Sequence, residues 1–275
     1  VIDNPDTVLW QAAFGGCPER AVLPEPSSQH GRWWRAVALG GQGRYAAAEA
    51  ELRLVTAGAG TDSLASLASS TRASHLRQLG GHTAAKPWDG RALLLAGSAP
   101  EAAAARCDAL LGLAADALGS AQVRVSQRLL ARCRDELDVA EELGAELAAA
   151  EAGAGWRARL RWHWVSAETA LCADDIAGAR EHGELADALA HRCPSVRHQV
   201  KSRLVHAAAR GTDGGAPLAA EVLAQAHHHG LLPLEWAAGM LLRALQPTGS
   251  VRAEALGVDL AAAEQRLARR GGPLR

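Results

Sequence analysis

Glycine divides this chain into pieces of helix length. Gly40, Gly41 and Gly43, then Gly80 and Gly81, then the run from Gly211 to Gly215, fall between stretches rich in alanine, leucine, arginine and glutamate. Those four residue types are strong helix formers, and glycine ends helices because it adopts left-handed backbone without a steric penalty. No alternation of apolar and polar residues recurs along the chain to build a sheet. Phenylalanine and tyrosine occur once each, at Phe14 and Tyr45, so the aromatic inventory of a large sheet is missing. The expected class is all-α. With 48% hydrophobic and 21% charged residues, the 275-residue chain has the material for a core and not the composition of a disordered one.

The helix signals can be followed along the chain. Residues 6–14 form a short helix ended by Gly15, Gly16 and Pro18, and 15–30 are irregular, with Pro24 and Pro26. A pair follows at 29–39 and 45–57. Residues 62–79 make a helix capped by Asp62 and stopped at Gly80. Lys86-Pro87-Trp88-Asp89 reads as a break, with Asp89 capping a helix over 90–96. Ser98 and Glu101 form a capping box around Pro100 and open a helix to 118. Further helices are expected at 155–172, 175–191, 194–210, 217–229 and 233–245. A closing amphipathic helix at 250–270 carries Leu256, Leu260, Ala263 and Leu267 on one face. Residues 121–151 leave two readings. The order of charge, arginines first and acids second, opposes the helix macrodipole and favours two helices parted near Asp135. The i,i+4 pairs Arg132–Glu136 and Arg134–Asp138 favour one.

Two of the helix pairs share a register. Gly43-Arg44-Tyr45 is followed by Ala48, Leu52 and Val55, and Asp174-Asp175-Ile176 by Ala179, Gly183 and Ala186 at the same spacing. Upstream, Trp33, Ala36 and Leu39 match Trp164, Ala167 and Ala170. A looser third frame places Gly214 at the turn, with Ala219, Leu223 and Ala226 behind it. The alanines let the two helices of a hairpin approach closely. QGRYAAAEAEL, residues 42–52, resembles the turn and second helix of the tetratricopeptide repeat, a helix–turn–helix unit of about 34 residues.

The expected architecture is a single domain over 1–275, an α-α superhelix or tetratricopeptide-like solenoid of about five antiparallel helix pairs. The resemblance also implies a concave face. Its positions here are His30, Trp33 and Val37, then Arg161, Trp164, Glu168 and Cys172, and in the looser frame Lys201 and Leu204. Arg32 and His163 stand where the family carries Trp or Leu, and Gly183 where it carries a large apolar residue. The family's carboxylate clamp relies on asparagine, and the only asparagine is Asn4, so a clamp of that type is not expected.

Other motifs fail on context. Gly41-Gln42-Gly43-Arg44-Tyr45-Ala46 has the spacing of a dinucleotide fingerprint but lacks the βαβ setting that gives it meaning. Neither lysine, Lys86 or Lys201, follows a glycine as a P-loop requires, and GxSxG is absent. His227, His228 and His229 point about 100° apart on a helix and cannot converge on one ion. Cys172, Asp174, Asp175, His182, His191, Cys193 and His198 are zinc-capable, but their spacing fits no standard site. No catalytic residue, metal or cofactor is therefore assigned.

Charge and cysteine usage bound the setting. The formal net charge is −1, which argues against nucleic acid as the main partner. Lys86 and Lys201 are the only lysines among 29 basic residues, which points to a GC-rich, bacterial coding sequence. Five cysteines with no CxxC, no signal-peptide layout in 1–30 and no long apolar run suggest a reducing cytoplasm and no membrane span. The expected function is a non-catalytic protein-interaction module that binds a partner peptide, acidic in character, in the groove. A regulatory or sensor domain that binds a small molecule or a partner in the transcription apparatus, and a helical dimerisation protein, are the alternatives. Val22 and Leu23 further suggest that 15–30 could lie in the groove as a built-in lid.

Overall fold

The computed structural model describes residues 4–58, 62–99, 102–143 and 154–274. Among these every regular element is a helix: α1 Pro5–Phe14, α2 Gln29–Gly41, α3 Tyr45–Ala57, α4 Asp62–Gln78, α5 His82–Ala96, α6 Ala103–Gly119, α7 Val123–Leu143, α8 Ala154–Cys172, α9 Ile176–Ala190, α10 Val196–Arg210, α11 Gly215–His228, α12 Leu232–Ala244 and α13 Val251–Arg269. None is long and apolar enough to cross a membrane. Side-chain caps start α1 at Asn4, α2 at Ser28 and α13 at Ser250.

One turn recurs. Its left-handed residue is Gly43, Gly80, Ala121, Asp174 or Gly230, with φ between 58° and 80°. In each case the next backbone N–H returns to a carbonyl of the preceding helix: Arg44 to Leu39, Gly81 to Leu76, Gln122 to Ala117, Asp175 to Ala170 and Leu231 to Ala226, at 2.8 to 2.9 Å. This is the bond that closes a Schellman motif. The helix that follows each turn opens from the residue after the left-handed one.

Small residues stand at fixed places around these turns. Ala36 and Ala48, Ala73 and Ala85, Ala114 and Ser126, and Ala167 and Ala179 occupy equivalent positions, and all have 0% exposure. Val55, Ala92, Cys133, Ala186 and Leu242, at a third equivalent position, are 0 to 2% exposed. A side chain that stops at Cβ lets two helix axes come to the short end of the usual 8–10 Å range. The register recognised at Gly43 and Asp174 therefore also governs α4/α5 and α6/α7. The looser frame at Gly214, in α10/α11, has left-handed backbone and fully buried small residues at Ala207, Ala219 and Ala226, but Gly215 bonds Gly211 in place of the long return. The α11/α12 hairpin has the long return at Gly230 but carries Leu223 and Glu235 at the crossing positions.

The chain forms two compact units. The first comprises Val1–Leu54 and Ala190–Arg275. Within it α1 packs on α2 and α10, and α10 to α13 pack in succession. Its apolar centre is Val200, Leu204, Val222, Ala226, Leu231 and Ala238. Residues far apart in sequence meet here: Ala46 N–H donates to the Arg270 carbonyl at 3.0 Å, and the Arg270 guanidinium donates to the Gln42 carbonyl at 2.9 Å.

The second unit, Val55–Leu189, is built around α6, which touches α4, α5, α7 and α8. Cys107, Leu110, Leu111 and Ala114 of α6 form its core with Leu130, Cys133, Ala158 and Val165. The same helix buries charge. Asp108 accepts from Arg157 at 2.5 Å and from Arg161, and Arg106 pairs with Glu136 at 2.8 Å. Burial raises the Asp108 carboxyl, but Arg157 and Arg161 outweigh it and hold the group below its ordinary range. Arg77 of α4 reaches Asp89 at 2.9 Å and Asp116 at 2.5 Å, and donates to the Gly112 carbonyl at 3.0 Å. Asp89 and Asp116 are fully buried. A Cβ at Gly112 would sit 2.2 Å from the Asp89 carboxylate, so glycine is what admits that side chain against α6. Burial pushes Asp89 up to about 7, against the pull of Arg77.

The structure bears on two of the sequence readings. No break occurs at 86–89: α5 runs through Pro87, and Asp89 is an interior buried partner of Arg77, not a cap. The 121–151 question resolves as far as 143, since α7 is continuous through Asp135. Arg134 and Asp138 pair at 3.8 Å, while Glu136 turns to Arg106. Residues 144–151 lie outside the described residues, as do Pro100 and Glu101 of the capping box and the side chain of Asp62.

The turn makes a direct prediction. Ala121 and Gly43 share left-handed backbone, which costs a side-chain-bearing residue about 1–2 kcal/mol. Ala121→Gly should raise unfolding free energy by about 0.5–1 kcal/mol in urea titrations, after the entropy that glycine gains when unfolded is deducted. Gly43→Ala should lower it, with the added Cβ only 2.8 Å from Leu267. A loss on Ala121→Gly would contradict the shared turn.

Candidate functional site

The residues read from sequence as a concave face divide between the units. In the first, Trp33, Val37 and Leu204 are core, with 5 to 7% exposure. Trp33 packs on Phe14 of α1 at 5.4 Å between ring centroids, and Phe14 also meets His198 of α10 at 6.0 Å. The chain's own α1 thus lies against both helices that carry these positions. His30 is exposed at the start of α2, and Lys201 is half-buried on α10. In the second unit, Arg161 is committed to Asp108, Trp164 and Glu168 are half-buried along α8, and Cys172 is exposed at its end. Within the first unit, then, α1 covers Trp33, while Leu204 is buried among Val200, Val222, Ala226, Leu231 and Ala238. Residues 15–28 are held elsewhere: the Gln42 side-chain amide donates to the Pro18 and Arg20 carbonyls, both at 2.9 Å. Leu23 is buried and Val22 is exposed.

The zinc-capable residues take separate partners. His182 faces His163, His191 faces Arg203 at 3.4 Å, His198 bonds the Ser195 hydroxyl at 2.8 Å, and Asp175 accepts from the Gly178 N–H at 2.9 Å. Among the described residues no three His, Cys, Asp or Glu side chains converge as a metal site would.

What the first unit does assemble is a cavity of about 510 Å³ walled by cations. Arg44 comes from the α2–α3 turn and Arg269 and Arg270 from the end of α13. Ala46 and Ala47 of α3 and Gly230 of the α11–α12 turn complete the wall, with Glu19 and Ala21 of the N-terminal segment. The backbone bond from Ala46 to Arg270 is what brings these ends together. The three guanidinium groups donate to main-chain carbonyls: Arg44 to Ala21 at 3.2 Å, Arg269 to Gln265 at 3.3 Å and Arg270 to Gln42 at 2.9 Å. Among the described residues none of the three has a carboxylate partner. Glu19, the one acid in the wall, is engaged by His229 at 3.1 Å. Guanidinium groups fixed through one nitrogen keep others for an anion, and their planar fork matches a carboxylate. Sequence reading placed Arg269 and Arg270 only as charges at the C-terminus of a helix. Nothing in local periodicity ties them to Arg44.

A second polar feature explains two departures from the repeat pattern. Arg32 and His163 are equivalent positions, and so are Glu51 and His182. Arg32 pairs with Glu51 at 2.8 Å, and the His163 and His182 Nδ1 atoms lie 3.1 Å apart. Each hairpin replaces an apolar contact by a polar pair at the same place. Trp162 sets its ring edge-on to both histidines, at 5.0 and 5.2 Å. Burial, then His182 and Arg159, lower His163 to about 4. His182 is lowered by burial and by Arg134, against Glu181 and Asp175. One Nδ1 donates to the other, so the accepting ring is neutral, and double protonation of the pair would break the bond.

In comparisons with known proteins, no family model matches this chain, and neither does any curated protein.

The histidine pair predicts acid sensitivity with a defined sign. The unfolded chain protonates these rings near pH 6.5, whereas the folded His163 does so only near 4. Between those values the unfolded state binds more protons, so stability falls as pH falls. The urea midpoint of wild type should drop from pH 7 to 4.5 more steeply than that of a His163→Leu, His182→Leu variant. Parallel curves would contradict the buried neutral pair.

Proposed function

We propose that this chain is a non-catalytic helical-repeat interaction module that holds an acidic group of a partner protein in the Arg44–Arg269–Arg270 cavity. The observation that carries the reading is the convergence of three arginines, with no carboxylate partner among the described residues, on one cavity. The recurring turn and its small residues support the tetratricopeptide-like reading, and families of such hairpins commonly recognise peptides. Trp33 and Leu204 of the expected groove are buried, Trp33 beneath Phe14 of α1, so the reading rests on the arginine cavity instead. The cavity walls offer guanidinium, methyl and amide groups and one carboxylate, which suits recognition better than bond making. Buried, unbridged Cys107, Cys133 and Cys193 support a reducing compartment.

A cavity of this volume also suits a small anion, so the sensor reading is kept as the second. The two are separated by one experiment. A tetraglutamate peptide, its tetraglutamine counterpart and a panel of small dicarboxylates are titrated into the full chain by calorimetry. The interaction reading predicts salt-sensitive binding of tetraglutamate alone. Each of Arg44→Ala, Arg269→Ala and Arg270→Ala should weaken it by about tenfold or more. Equal binding of tetraglutamine, or no effect of the three substitutions, would remove the cavity from the account.

A further inference from the structure

The last helix of the first unit has two apolar seams, and only one is covered. Leu256, Leu260, Ala263 and Leu267 are buried against the rest of the unit, with α12 the neighbouring helix. On another face, Val251, Ala255, Val258 and Ala262 follow the alternating four-three spacing of a heptad seam and are all exposed. Val251 is 83% and Val258 72% exposed. Beside Val258 and Ala262 runs a groove of about 640 Å³, bordered by Arg243 of α12 and by Glu254 and Gly257 of α13. The Arg243 guanidinium lies over Gly257, 3.6 Å from where a Cβ would stand. Among the described residues neither the Arg243 nor the Glu254 side chain has a hydrogen-bond or ion-pair partner.

We propose that a second copy of this chain docks on this face, α13 against α13 about a two-fold axis. A two-fold contact presents the same patch twice, so the patch must complement itself. This one does so in charge: Arg243 of one copy meets Glu254 of its partner, and the reverse contact repeats it. An acidic segment would be repelled by Glu254 and a basic one by Arg243, whereas a second copy neutralises both borders. Small alanines alternating with valines, and Gly257 at the groove, allow the helices to approach closely. The contact lies on α13 away from its buried leucines, so docking leaves the core of the unit intact.

Charge reversal tests the pairing. Sedimentation velocity is run on the full chain from micromolar to near-millimolar concentration, with circular dichroism confirming helix content in every variant. Wild type is expected to shift from monomer to dimer with concentration. Arg243→Glu and Glu254→Arg should each weaken association roughly tenfold or more. An equimolar mixture of the two variants should restore it, because both contacts then pair opposite charges. Val258→Glu should also give a monomer. A wild type that stays monomeric throughout would overturn the proposal, as would dimers untouched by the substitutions or a mixture that stays monomeric.

Discussion

Much else in this fold rests on a close crossing held at two small residues in each of the hairpins α2/α3, α4/α5, α6/α7 and α8/α9. A backbone turn with one left-handed residue fixes the angle at which the second helix leaves, and a buried Ala–Ala or Ala–Ser pair sets how near it comes. The constraint is local, so it can recur while the residues between vary. It also accounts for the alanine-rich composition. Methyl groups at the crossing cost no side-chain entropy on burial, and larger groups are kept for the layers between hairpins.

That freedom shows at the positions flanking the crossing. Where a large apolar pair would be ordinary, the first hairpin has Arg32 and Glu51 and another has His163 and His182. At the position of Leu52, α5 has Asp89, fully buried and paired through one carboxylate oxygen with Arg77 beside Gly112. Buried ion pairs of this kind add little net stability over apolar residues of the same size, because desolvation offsets the attraction. Their partners are nonetheless specific: an Asp89 carboxylate that lost Arg77 would be left uncompensated in the core. Geometry, not added stability, is what such pairs enforce. The same logic gives the cavity its character. Arg44, Arg269 and Arg270 are aimed by main-chain carbonyls and therefore keep charge available at the surface.

Much of this was legible in the sequence. Glycine stops and helix-forming segments located the helices closely, and the shared register at Gly43 and Asp174 exposed the repeating crossing. Two further copies were hidden for physical reasons. At Ala121 the left-handed residue is not glycine, so no stop signal marks the turn. At Gly80 the second helix contains Pro87, which reads as a break yet is absorbed within the second turn of α5. Buried charge misled in a related way, since Asp89 beside a proline looks like a cap until Arg77 is seen opposite it. The site was least legible. Trp33 and Leu204 carried the signature of a groove, but Phe14 of α1 covers Trp33 and the apolar centre shared with α11 and α12 takes in Leu204. The arginine cavity depends on contacts between residues 42–47 and 269–271, which no local pattern encodes.

The close crossing itself can be tested by enlarging it. Ala36→Leu, Ala73→Leu, Ala114→Leu and Ala167→Leu would each be compared with Ala131→Leu, at an exposed position of α7, by urea unfolding followed by circular dichroism. The account predicts a loss of about 1–3 kcal/mol at each of the four crossings and a change within about 0.5 kcal/mol at Ala131. Crossing substitutions that cost no more than the one at Ala131 would contradict it, since hairpins that accept leucine there are not held together at their small residues.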